Sequence, residues 1–110
     1  MTDAEIVQVQ FTADSPEIAD SIVRHLLDGR LIACGQRIGP VVSRYWWKGT
    51  QETSEEWLVI VKTTATLASA VSDSIGALHP YETPEILIVP VVGGNAAYRE
   101  WIEAETMIPG

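Results

Sequence analysis

The sequence predicts an α+β fold, a ferredoxin-like βαββαβ sandwich with an extra C-terminal helix, and three observations lead there. Val7, Val9 and Phe11 alternate with Gln8, Gln10 and Thr12, the pattern of a strand with one buried face. Apolar residues recur at helical spacing in two separate stretches, one ending at Gly29 and one at Leu78. The remaining runs are rich in β-branched residues, so the order reads β, α, β, β, α, β, then a short helix. That is the split βαβ pattern, two right-handed crossovers building an antiparallel sheet with helices on one face.

Each element has its own signal. The first strand covers residues 5–12. Ser15-Pro16 sets an N-cap followed by proline at the first helical position, and Ile18, Ala19, Ile22, Val23, Leu26 and Leu27 form one apolar face. A second strand opens at Leu31-Ile32-Ala33-Cys34, and Gly39-Pro40 interrupts it before a third over residues 41–48. In that third strand Val41, Ser43, Tyr45 and Trp47 share one face while Val42, Arg44, Trp46 and Lys48 share the other. Aromatic bulk on both faces exceeds what one small core requires, and points to contact with another subunit. After the turn Lys48-Gly49-Thr50, a fourth strand covers residues 55–63, its run Trp57-Leu58-Val59-Ile60-Val61 suited to burial on both faces. A second helix covers 66–78 with Leu67, Ala70, Val71, Ser74, Ile75 and Leu78 on its stripe. Pro80 ends it. Strand five covers 86–92, where Pro90 removes a ladder donor and implies an edge position or a bulge. Asn95 caps a last helix with Tyr98, Trp101, Ile102 and Glu105 along one side, and Met107-Ile108-Pro109-Gly110 reads as a loose tail.

Composition bounds the function. The 110 residues suit a single domain, 1–110, with an ordered core over about 5–105. Fifteen acidic residues against seven basic ones give a net charge of −8, which repels nucleic acid and anionic membranes, so neither is expected as a partner. The N-terminal residues lack the basic and apolar regions of a signal peptide, and no apolar run nears the ~20 residues of a membrane span. With one cysteine, Cys34, there is no internal disulfide, and the chain reads as cytoplasmic.

One stretch concentrates chemistry: His79-Pro80-Tyr81-Glu82-Thr83-Pro84-Glu85-Ile86 gathers an imidazole, a phenol and two carboxylates around two stiffening prolines. This stretch, Arg30-Leu31-Ile32-Ala33-Cys34, Ser43-Arg44-Tyr45-Trp46-Trp47-Lys48-Gly49, the segment from Glu56 through Lys62-Thr63, Pro90-Val91, Tyr98 and Trp101 together resemble the CutA proteins linked to divalent-cation tolerance. The resemblance runs from about Val7 to Trp101. It implies a ferredoxin-like subunit in a tight PII-like homotrimer whose sheets extend across subunit boundaries through the long hairpin. It also implies an association with copper. The chain departs from the family at Gly35-Gln36-Arg37-Ile38, where a β-branched residue and an asparagine are more usual, and a bend in the strand is expected there.

Two candidate sites follow. Cys34, His79 and Glu82 offer thiolate, imidazole and carboxylate to copper or another divalent ion. Against that stands a purely structural account: Cys34 as a small core residue, His79 bonded to the end of the second helix, and Glu82 satisfying loop amides. Tyr45, Trp47, Lys62 and Tyr81 could line an intersubunit cleft for a small anion, or simply pack in the core or the trimer. His25, on the polar side of its helix, reads as solvated. No nucleophile elbow, phosphate-binding loop, dinucleotide fingerprint or metalloprotease helix is present, so no organic cofactor is implied and the chain reads as non-enzymatic. The leading expectation is a trimeric, thermally stable metal-tolerance protein that binds divalent ions, copper favoured. Its rival is a signalling or scaffold module taking an anionic metabolite between subunits.

Overall fold

The computed structural model describes residues 5–106. The expectations for the N-terminal residues 1–4 and the tail 107–110 lie outside the described residues. Strand β1 (Ile6–Ala13) leads to helix α1 (Pro16–Asp28), then to β2 (Cys34–Trp47) and β3 (Thr50–Thr64). A 3₁₀ turn (Ala65–Leu67) enters α2 (Ala68–Leu78), followed by β4 (Ile86–Val91) and α3 (Ala96–Glu105). The sheet order is β2-β3-β1-β4 with antiparallel neighbours throughout, which is the ferredoxin-like topology the sequence predicts.

The core lies between the sheet and helices α1 and α2. Val9, Phe11, Val59 and Val61 from the two central strands meet Ala19, Ile22 and Leu26 of α1 and Val71 and Ile75 of α2. Burial of each large side chain contributes about 1.5–3 kcal/mol, so this cluster is the main source of the chain's own stability. Local signals agree with it. Ser15 accepts the Ile18 amide at 3.1 Å, with Pro16 at the first helical position. At the other end of α1 the left-handed residue is Arg30 (φ 58), not Gly29; the Leu31 and Arg30 amides bond the Leu26 and Leu27 carbonyls, forming a Schellman closure. Pro90 lies in β4, the edge strand expected from its missing donor.

Several expectations need correction. The second and third predicted strands are one strand, β2, whose register shifts between Ile38 and Val41. Gly39 (φ 154) and Pro40 absorb the extra residue as a bulge, and the ladder resumes beyond them. Residues 31–33 precede the strand, with Ala33 donating to the Lys62 carbonyl at 2.9 Å. At the family departure Gly35 admits α1 closely: a Cβ there would stand 2.7 Å from Val23 Cγ1. Strand β3 starts at Thr50 rather than Glu55, because its polar half is held by pairing with β2 instead of by a core. On α2 the buried stripe is Ala68, Val71 and Ile75, and Leu78 is exposed. Asn95 occupies the cap position of α3 without a side-chain cap bond.

Beyond Val41 and Glu56, β2 and β3 continue without β1 as a two-stranded arm. A two-residue turn, Lys48 (φ 51) and Gly49 (φ 81), closes it with the left-handed pair a type I′ turn requires. The arm stretches the molecule to 49 × 26 × 21 Å, with a radius of gyration of 14.8 Å against the roughly 13 Å of a compact chain near this length.

Candidate functional site

Where the arm leaves the sheet, it forms a cleft of about 530 Å³ with the loop that joins α2 to β4. The bulge at Gly39-Pro40 sets which side chains face it: it turns Ser43, Tyr45 and Trp47 onto the same side as Glu56. The loop contributes Tyr81, Glu82, Thr83 and Glu85, and the end of β1 contributes Thr12.

His79 fastens the loop in place. Its Nδ1 accepts the Tyr81 amide at 3.1 Å, so the ring proton sits on Nε2, which donates to the Thr12 carbonyl at 2.6 Å. The ring also meets Phe11 edge-on (6.3 Å, 87°) and lies 4.5 Å from the Tyr81 ring. Both nitrogens are therefore engaged and the ring is buried, so His79 has no free lone pair for a metal. The ring braces the loop against β1, while the backbone N–H of His79 bonds the Ile75 carbonyl at 2.9 Å and caps the end of α2.

Tyr81, so positioned, donates its hydroxyl proton to Glu56 Oε2 at 3.2 Å. Burial is the first cause that pushes the phenol's pKa well above its usual value, and the Glu56 and Asp14 charges add to it. Glu56 itself is only 7 % exposed. The cleft thus holds three carboxylates, Glu56, Glu82 and Glu85, against one guanidinium, Arg44. Its sign opposes the small anion expected of the aromatic residues. Tyr45, Trp47 and Tyr81 do meet there, but Lys62 does not.

Lys62 belongs to a second cluster on the sheet face opposite α1 and α2. Its Nζ donates to Gln36 Oε1 at 2.7 Å and lies 5.9 Å from the Tyr98 ring. Cys34 is here, half-buried, its sulfur 3.5 Å from the Tyr98 hydroxyl, and Tyr98 stacks on Trp101 at 5.5 Å. The hydrogen bond with Cys34 is the first cause that raises the Tyr98 pKa, ahead of burial.

The expected metal triad is consequently not assembled. Cys34 aligns through Lys62 with Gln8 of β1, whereas His79 binds Thr12, four residues or roughly 13 Å farther along that strand. Glu82 lines the cleft with neither of them. Among the described residues no three His, Cys, Asp or Glu side chains gather closely enough to hold an ion. His25 is exposed, as expected.

Glu56 is the residue that sequence reasoning missed as a site member. Its signal was a charged residue heading the apolar run of a central strand, a position that needs a polar partner in the fold. The partner, Tyr81, lies 25 residues away. Tyr98, placed only by its helix stripe, is likewise 64 residues from Cys34.

The family model for the CutA1 divalent ion tolerance protein matches residues 7–105. The divalent-cation tolerance protein CutA of Thermus thermophilus is 36% identical over 98 residues, covering 89% of this chain and 95% of that protein. Protein CutA of Homo sapiens is 36% identical over 95 residues, 86% of this chain, and this chain spans about half (53%) of the human protein's length. The crystal structure of divalent ion tolerance protein CutA1 from Ehrlichia chaffeensis superposes with a TM-score of 0.92 at 29% identity, covering 97% of this chain and 100% of that one.

Proposed function

We infer function from family and surface together: the chain belongs to the CutA1 divalent ion tolerance protein family. We propose that it serves metal-ion tolerance as a non-enzymatic, cytoplasmic homotrimer that binds divalent metal ions, copper first among them. The observation that carries the metal assignment is the setting of Cys34. It is the only thiol in the chain, half-buried, with one long contact to Tyr98, on the sheet face turned away from α1 and α2. Thiolate selects soft ions such as copper, and an unpaired thiol suits a reducing compartment. One thiolate is an incomplete site, so the remaining donors come from a neighbouring subunit.

The trimer has its own support. Trp46 and Val42 on one face of the arm are 69 % and 68 % exposed, and Leu87 on the edge strand is 54 % exposed, apolar surface suited to cover by another copy. A two-stranded arm is marginally stable by itself and gains from being covered. The non-enzymatic reading rests on the separation of Cys34 from His79, whose nitrogens both serve the loop. Calorimetric titration of the wild type and Cys34→Ser with copper and zinc tests the assignment. Micromolar or tighter copper binding that weakens at least about tenfold in the variant supports it. Equal binding in both proteins, or none tighter than micromolar in the wild type, contradicts it.

A further inference from the structure

We propose that the cleft at the base of the arm is a binding site for a small organic ammonium ion. The site is separate from Cys34, and the proposal goes beyond the metal reading without depending on it. It starts from a charge that lacks a counter-ion. Glu56 is more than nine-tenths buried, and its one protein hydrogen bond, from the Tyr81 hydroxyl, uses Oε2 alone. Its Oε1 has no protein donor among the described residues. Nor does a basic side chain of the described residues pair with it: Arg30 pairs with Glu105 and Arg37 with Asp20 away from the cleft, while Arg44 lines the cleft without pairing to Glu56. The unpartnered Oε1 belongs to a carboxylate that lines the cleft, where a bound cation would supply the counter-charge that no side chain pairs with it.

The shape and lining select the kind of cation. A bare metal ion needs several donors within one coordination sphere, and no such cluster forms here. The cleft instead offers about 530 Å³, in the range of sites for small molecules, walled by the rings of Tyr45, Trp47 and Tyr81. Aromatic faces attract cations that carry alkyl groups, because the quadrupole meets the charge while the ring covers the methyl or methylene surface. Glu82 and Glu85 at the rim add attraction without filling the space. His79 holds Tyr81 in position on this wall, so the site is preformed on the sheet.

Choline is the probe, titrated into the intact protein while the Trp47 indole resonance is followed by NMR. Saturable movement of that resonance is expected, with affinity reduced about tenfold or more in Glu56→Gln by the same signal and in Trp47→Leu by calorimetric titration of choline. Glu56→Gln retains an acceptor for the Tyr81 hydroxyl, and Trp47→Leu alters the arm alone, so neither result depends on loss of the fold. Cys34→Ser should leave choline binding unchanged, which separates this site from the metal assignment. The uncharged carbon isostere of choline, with tert-butyl in place of trimethylammonium, should bind at least about tenfold more weakly. Absence of saturable binding, equal binding of the isostere, or a Trp47 response to zinc but not to choline would each overturn the proposal.

Discussion

The sheet's body and its arm obey the same strand alternation and end in opposite surroundings. In the body, Phe11 and Val59 are sealed between the sheet and two helices, wholly removed from water. In the arm, Trp46 and Val42 occupy equally regular ladder positions and stay mostly exposed. Alternation alone says which residues share a face; the crossover helices decide whether that face becomes a core. Apolar bulk on a face that no helix covers stays exposed in the single chain, and the cleft sits where the two regimes meet.

Substitutions that separate body from arm should differ widely in effect. Phe11→Ala removes a ring from the centre of the body and should lower stability by about 3–5 kcal/mol in denaturant unfolding. An effect below about 1 kcal/mol would mean the body is not the stabilising region. Gly39→Ala acts at the junction: it forces a side chain onto φ 154 and sets a Cβ 2.7 Å from the Trp57 ring. A loss of about 1–3 kcal/mol is expected, measured the same way. An unchanged midpoint would show that the bulge adapts freely.

The third contrast is one of pH. Tyr81's raised pKa means that folding favours its neutral form, so its contribution is fully present below the ordinary phenol value of about 10 and is lost as pH rises toward the folded value. Alkaline unfolding of Tyr81→Phe should accordingly be less steep than that of the wild type above about pH 10. Parallel curves would separate Tyr81 from Glu56. Being partly exposed, this group should produce the smallest of the three effects.

Much of the body was legible because its signals are local. The alternation of β1, the Ser15-Pro16 start of α1 and the edge position implied by Pro90 each need only neighbouring residues. The arm was half legible. Its aromatic strand stood out, while residues 50–54 of β3 are polar throughout and carry no alternation to read. Gly39-Pro40 looked like a break because a bulge uses the same residues as a turn. The cleft was least legible. His79 meets Thr12 across 67 residues and Tyr81 meets Glu56 across 25, contacts that only the completed sheet creates. The metal triad failed for the same reason in reverse: His79 and Glu82 are close in sequence, yet one faces β1 and the other the cleft.

In the proposed trimer the arm is an interface whose apolar surface another copy covers. Sedimentation equilibrium of the wild type beside Trp46→Glu tests it most directly. The wild type should sediment as a trimer of 12.0 kDa chains, and the variant should fall toward the mass of one chain while keeping its secondary structure. A wild type that sediments as a monomer, or a variant that stays trimeric, would contradict it.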